Sequence, residues 1–340
     1  MKQRIIKKKE VKSIAISIGD PAGIGIEVTL KALNSLKSNH KFIPILVGCK
    51  KSIFETFEKF NKQKINDLLN PESIEIIDIP LDGKLTPGKP SLETGEASYN
   101  FLTHATNLVI EGKANSLVTA PIAKYAWHRA GHFYPGQTER IAEISKSKEV
   151  SMLFTAISPI NGWRLNTLLA TTHIPLCRVK EELTPELIIS KLNALLSFCK
   201  KFKKDPKLGI AGLNPHSGEK GKIGNEEIEW IIPTINTWKL SNPTIKLDGP
   251  IPPDTCWIPS ANAWNGRNDP NVHDGLLALY HDQGLIPVKL LAFDSAVNTT
   301  LGLPFVRTSP DHGTGFDIAG KGSARATSMI AAIKTALDLS

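Results

Sequence analysis

Short β-branched runs that alternate with longer stretches of three- and four-residue apolar spacing constrain this chain more than any other feature. The runs are Ser13 to Ile18, Phe42 to Val47, Ser73 to Ile77, Ser116 to Thr119, Leu165 to Thr171, Leu208 to Leu213 and Gly275 to Tyr280. Helical patterns lie at Ile24 to Leu36, Thr94 to Ile110, Pro185 to Lys200, Asn225 to Thr237 and Ala324 to Leu339. Strand-length apolar segments separated by helix-length amphipathic ones predict an α/β fold. A chain of 340 residues is longer than one hydrophobic core usually serves, so two α/β lobes with a cleft between them are expected. The Pro/Gly-rich stretch Pro80 to Pro90 and a loop-like region from Asp248 to Asn271 indicate that the lobes are discontinuous in sequence.

Composition narrows the class. Hydrophobic residues at 41% and charged residues at 22% suit a folded globular chain, and no apolar run approaches the roughly 20 residues of a membrane span. The segment Met1 to Lys12 is basic, but the apolar stretch after it runs only from Ile14 to Ile18 before Gly19-Asp20-Pro21, too short for a signal-peptide core. Cys49, Cys177, Cys199 and Cys256 are far apart with no C-x-x-C pair, which suits a reducing compartment, and a cytoplasmic location is expected. The net charge of +8 is spread over helical stretches such as Lys200 to Lys207 without interleaved aromatics. A solvated basic surface therefore explains it better than nucleic-acid binding, and cations around an anionic substrate would add to the same balance.

Polar, Gly- or Pro-containing loops follow several of the strands, where open α/β sheets place their ligands. The first is Gly19-Asp20-Pro21-Ala22-Gly23-Ile24-Gly25, which enters a helix directly. By itself such a turn is explained as well by loop geometry as by ligand binding. Later loops carry Thr172-His173-Ile174-Pro175, Asn214-Pro215-His216-Ser217-Gly218-Glu219 and Tyr280-His281-Asp282-Gln283-Gly284. One loop histidine is usually a surface or capping residue, whereas three at three strand ends suit a divalent metal with an open coordination position. Asp282 and Asp254 are candidates for orienting an imidazole or accepting a proton, with an ordinary turn aspartate as the alternative for each. Lys289, Asn298 and Arg307 follow in an apolar region, where a cation calls for an anionic substrate or an internal salt bridge. The run from Asp311 through Gly322, including His312, Gly313, Gly315 and Asp317, supplies small residues and amides that suit a nucleotide. Thr119 to Lys124 and Gly136-Gln137-Thr138-Glu139 precede helical patterns and could hold an anion, or Thr138 could simply cap a helix.

Taken together, Gly19 to Gly25, Thr119-Ala120-Pro121, Leu213 to His216, Gly249-Pro250, Tyr280 to Gly284 and the run from Asn298 through Gly322 resemble the 4-hydroxythreonine-4-phosphate dehydrogenase family. The resemblance covers nearly the whole chain and implies the isocitrate and isopropylmalate dehydrogenase-like fold. It implies a homodimer with its active site at the subunit interface, and one divalent metal (zinc, magnesium or cobalt) on His173, His216 and His281 from both subunits. Substrate contacts from Gln137, Thr138, Lys289, Asn298 and Arg307, support from Asp254 and Asp282, and NAD or NADP on the loop from His312 follow from the same likeness. The lobes would be residues 1–130 with 300–340 on the nucleotide side, and 131–299 on the dimerisation and metal side. The implied reaction oxidises a phosphorylated hydroxy acid to a β-keto acid that decarboxylates.

Two departures stand out. Gly136-Gln137-Thr138-Glu139 has a neutral amide where the family usually has histidine, and Trp257 to His273 is longer than the family pattern. The first motivates a rival reading, a sister dehydrogenase for another phosphorylated hydroxy acid such as a four-carbon sugar acid phosphate. A metal-dependent phosphatase is a further alternative, since the same metal and cations could activate water against a phosphate ester.

Overall fold

The computed structural model describes residues 11–38 and 41–340, so most of the basic N-terminal stretch lies outside the described residues. Its strands are β1 (Lys12–Ser17), β2 (Phe42–Gly48), β3 (Glu75–Asp78), β4 (Ser116–Thr119), β5 (Ser151–Ile157), β6 (Arg164–Leu169), β7 (Lys207–Ala211), β8 (Lys246–Ile251), β9 (Gly275–Ala278), β10 (Val297–Leu301) and β11 (Val306–Pro310). The helices are α1 (Gly25–Leu36), α2 (Lys50–Lys62), α3 (Leu92–Ile110), α4 (Lys124–Arg129), α5 (Gln137–Ile144), α6 (Val179–Glu182), α7 (Pro185–Cys199), α8 (Ile232–Ser241), α9 (Ile258–Trp264), α10 (His281–Ala292) and α11 (Thr327–Leu339). Two compact units result, Met1–Ser147 with Pro304–Ser340, and Lys148–Leu303. Among the described residues no helix is long and apolar enough to cross a membrane.

In the first unit the strand order is β3-β2-β1-β4-β11, and every pairing is parallel. Parallel sheets are covered on both faces, and β1 accordingly buries Ile14, Ala15 and Ile16 completely. Helix α3 begins with a capping box in which the Ser91 amide donates to Thr94 Oγ1 at 3.0 Å and the Thr94 amide donates to Ser91 Oγ at 3.3 Å. The fully buried Trp127 of α4 donates its indole N–H to Ser98 of α3 at 2.8 Å.

The second unit orders its strands β10-β5-β6-β9-β7-β8, with antiparallel pairing at β10–β5 and β5–β6 and parallel pairing from β6 onward. Phe154, Leu165, Leu169, Trp264, Leu285 and Val288 form a core shared by β5, β6, α9 and α10. The three adjacent strands β6, β9 and β7 run the same way, so their carboxyl ends open on one edge of this unit's sheet.

Three expectations need correction. Residues 131–147 belong with the first unit, because α5 packs on α3 and buries Ile141 completely; helix-to-helix docking of this kind leaves no mark on local periodicity. The loop-like region from Asp248 to Asn271 contains the end of β8 and all of α9, so the long stretch Trp257 to His273 is partly helical. Pro259 stands in the first turn of α9, where its missing N–H costs nothing. Strands β5, β8, β10 and β11 were not anticipated; β10 and β11, for example, read Val-Asn-Thr-Thr-Leu and Val-Arg-Thr-Ser-Pro and lack a continuous apolar run.

Candidate active site

The edge formed by β6, β9 and β7 carries all three candidate histidines of the second unit: His173 follows β6, His281 follows β9 and His216 follows β7. Neighbouring strands are about 4.8 Å apart. The rings of His173 and His281 meet at a centroid distance of 5.4 Å, tilted by 46°. His281 opens α10, and its Nδ1–H donates to Asp282 Oδ1 at 2.7 Å, since a carboxylate can only accept. In the neutral ring, Nε2 then carries the lone pair that a metal requires.

Two adjoining cavities divide the set. The smaller, about 180 Å³, is lined by His173, His281, Tyr280 and Asp282 among others. The larger, about 560 Å³, holds His216, Asp254 and Trp257, and again Tyr280 and Asp282. The structure thus brings two imidazoles together and leaves the third next door. Among the described residues no three His, Cys, Asp or Glu side chains stand close enough to enclose a metal ion. The donor set fits two ligands of a divalent site within one chain.

His216 owes its position to an unusual turn. His216, Ser217, Gly218, Glu219 and Lys220 all have positive φ, from 41° to 76°. Left-handed backbone costs a side-chain-bearing residue roughly 1–2 kcal/mol, so something must hold it. The brace is Glu227, fully buried, whose Oε1 accepts from the amides of Leu213 and Asn214 at 2.8 and 2.7 Å and whose Oε2 accepts from Asn214 Nδ2 at 2.8 Å. Glu226 accepts from the same Asn214 amide and pairs with Lys180 at 2.6 Å, which draws its carboxyl down to about 2. Gln283 ties two strand ends together: its Oε1 accepts from the Leu279 amide at 2.7 Å and its Nε2 donates to Gly212 O at 2.8 Å. Sequence reasoning passed over Glu227 and Gln283. For Glu227 a signal existed, because it shares the inward line with Ile231 and Ile235, at four-residue steps, where a carboxylate is out of place unless it has a task.

In the first unit the anion candidates gather at the end of β4. Arg307 on β11 is 3% exposed and donates from Nη2 to Thr119 Oγ1 at 2.8 Å. Burial pulls its guanidinium down to about 10, against the pull of the Glu139 carboxylate, so it remains a cation at neutral pH. Gln137 donates from Nε2 to the next carbonyl along, Ala120 O, at 3.1 Å. Gly136 is the N-cap of α5, which makes Gln137 and Thr138 its first two residues; Thr138 does not cap the helix. In the second unit Lys289 lies on α10 with its ammonium 5.8 Å from the Phe293 ring centre, and Asn298 on β10 has a buried Oδ1 that accepts no hydrogen bond among the described residues.

The two Gly-rich loops of the first unit pack on each other. The Ile24 amide donates to Thr314 O at 2.9 Å, and a Cβ on Gly23 would meet that same oxygen at 2.7 Å. Gly25 is confined in the same manner by Ile18 O. Close backbone packing accounts for these glycines. Gly313 differs: nothing lies within 4 Å of where its Cβ would stand, and Asp317 nearby is exposed, while His312 Nδ1 turns to Gly313 O at 2.9 Å.

Residues 34–336 match the family model described as pyridoxal phosphate biosynthetic protein PdxA. The chain is 55% identical over 327 residues to the 4-hydroxythreonine-4-phosphate dehydrogenase of Synechococcus sp. (strain RCC307), covering 96% of this chain and 99% of that protein. A crystal structure of 4-hydroxythreonine-4-phosphate dehydrogenase from Klebsiella pneumoniae superposes with a TM-score of 0.81 at 33% identity, over 98% of this chain and 99% of that one. Isocitrate dehydrogenase from Methylococcus capsulatus shares the fold alone, with a TM-score of 0.50 at 16% identity over 96% of this chain and 85% of that one. The strand-end histidines, the buried arginine on β11 and the paired Gly-rich loops therefore sit in a chain of isocitrate dehydrogenase-like fold that belongs to the PdxA family of pyridoxal phosphate biosynthetic proteins.

Proposed function

We propose that this chain oxidises 4-phosphohydroxy-L-threonine at C3 with NAD or NADP, giving a β-keto acid that loses carbon dioxide to form 3-amino-2-oxopropyl phosphate on the route to pyridoxal 5'-phosphate. The observation that carries the reading is the facing pair His173 and His281, with Asp282 fixing the second ring, in a chain whose near full-length relatives bear that dehydrogenase name. A divalent ion (zinc, magnesium or cobalt) would be held by His173, His216 and His281, with ligands drawn from both subunits, and when bound it supplies Lewis-acid polarisation at the substrate oxygen. Asp254, exposed on the larger cavity, is the group assigned to take the C3 hydroxyl proton while the C3 hydride passes to the nicotinamide. Arg307, Lys289, Asn298, Gln137 and Thr138 are assigned to the substrate's phosphate and carboxylate, and His312, Gly313, Gly315 and Asp317 to the cofactor.

Asp282→Asn should lower kcat/KM by roughly 10- to 100-fold and weaken metal retention by a similar factor, the usual cost of losing a group that orients a ligand imidazole. Steady-state kinetics beside metal titration checks this, and unchanged metal affinity would remove Asp282 from the site.

A homodimer would bring histidines of two chains to one site. Helix α10 and its C-cap expose Ile286, Leu290 and Phe293 by 59%, 81% and 63%, an apolar line at i, i+4 and i+7 beside the cavity that holds His216. Leu290→Glu should shift the sedimenting species from twice 37.1 kDa to 37.1 kDa and take activity with it. A dimer that survives this change would place the contact elsewhere.

Gln137 favours one second reading, the sister dehydrogenase, because its Nε2 is already committed to Ala120 O where the family usually carries histidine. The deciding assay follows nicotinamide reduction by purified protein with 4-phosphohydroxy-L-threonine and, separately, four-carbon sugar acid phosphates. Turnover confined to the latter would replace the first reading, and phosphate release without nicotinamide would replace both.

A further inference from the structure

Helix α5 has eight residues, Gln137–Ile144, and its N-cap Gly136 provides no side-chain hydrogen bond. A helix this short is marginal by itself, so its direction must be set by what it packs on. Ile141 is its one fully buried apolar residue. The other anchor is Arg140, three residues after Gln137 and so on the same face.

Arg140 is held from several sides. Its guanidinium carbon lies 4.7 Å from the ring centre of Tyr99 on α3 and 5.6 Å from that of Tyr134 in the loop before α5. Nη1 donates to Glu143 Oε2 at 2.8 Å and to the Tyr134 hydroxyl at 3.3 Å, and Nη2 donates to Thr103 Oγ1 on α3 at 3.5 Å. The Tyr134 hydroxyl donates in turn to Glu143 Oε2 at 2.5 Å. On the same loop His132 stacks on Tyr99 at 3.5 Å and 5°, and its Nε2 meets Glu96 Oε2 on α3 at 2.7 Å. The Glu143 carboxylate pushes the Tyr134 phenol up to about 12, so it stays a donor through the neutral range.

We infer that Arg140, stacked with Tyr99 and Tyr134, is a positioning residue for substrate binding: it sets the direction of α5 and hence where Gln137 and Thr138 present their polar groups. The inference rests on the proposed role of those two residues in touching substrate. Arginine suits the task because a planar guanidinium stacks on aromatic rings while still donating in its own plane, which lysine cannot do.

The test uses the full-length protein with Arg140→Ala, Arg140→Lys, Thr138→Ala and Ile53→Ala, the last removing a buried side chain of α2 far along the sheet from the clamp. Misplacing a binding group by about an ångström costs on the order of tenfold or more. Arg140→Ala should raise KM for the phosphorylated substrate about tenfold with kcat changed less than about threefold, Arg140→Lys should fall between it and the parent, and Ile53→Ala should lower Tm with KM unchanged. Amide hydrogen exchange at residues 136–144 should quicken in both Arg140 variants, a readout that needs no turnover. If Arg140→Ala does not fold, Arg140→Lys decides. Unchanged exchange at 136–144, or unchanged KM in a variant with quickened exchange while Thr138→Ala raises KM, overturns the clamp. Unchanged KM in Thr138→Ala, with exchange quickened by Arg140→Lys, instead sinks the substrate-contact reading and leaves the clamp a purely structural device, which also overturns the inference.

Discussion

Replacing His281 by alanine should lower kcat/KM for the phosphorylated hydroxy acid by on the order of 10³-fold while the protein stays folded, because losing one preorganised electrostatic contact at a reacting oxygen typically costs this much. The structural reason is local. His281 is the ring that faces His173 at 5.4 Å and is oriented by Asp282 at 2.7 Å, so its removal strips one member of the only facing imidazole pair among these three histidines and leaves Asp282 with nothing to orient. The fold should tolerate the loss, since His281 is half-exposed at the first position of α10 and the strand end is held by Gln283 instead. Three measurements belong together: initial rates with NAD and NADP, metal content by mass spectrometry after dialysis, and circular dichroism. Near-parental rates after exhaustive chelation, or full metal content in the variant, would refute the assignment of this ring to a metal.

Arg307→Met should raise KM for the phosphorylated substrate by about 10- to 100-fold, the range for losing a charge-assisted contact worth about 1.5–3 kcal/mol. A distinct thermal signature should accompany it. If the guanidinium is kept for an incoming anion, its burial costs desolvation in the free protein, and an apolar side chain of similar length removes that cost. Arg307 is 3% exposed and its burial already shifts its titration toward the neutral form, so the variant's Tm should equal or exceed the parent's. If Arg307 serves only an internal network through Thr119, the result reverses: Tm falls and KM stays. Reading KM and Tm on the same preparation therefore separates anion binding from structural pairing.

Much of this protein was decided within short windows of sequence. The alternation of apolar runs and amphipathic stretches determined an α/β fold, since a short continuous apolar run suits a strand covered on both faces and 3.6-residue spacing suits a helix covered on one, and Ile14 to Ile16 and Leu192, Leu195 and Leu196 lie buried accordingly. The same windows put polar residues just past strand ends, which is why His173, His216 and His281 were legible as candidates. Tertiary structure decided which of them meet. Strand order in the second unit is β6-β9-β7, out of chain order, and that order makes neighbours of His173 and His281, 108 positions apart, while the left-handed turn at 216–220 turns His216 into the next cavity. Glu227 under that turn, Thr119 under Arg307 and the Tyr99–Arg140–Tyr134 stack were likewise beyond local reading, because each joins groups whose partners are set by packing. Periodicity determines which face of an element is buried, but it carries no term for what that face is buried against.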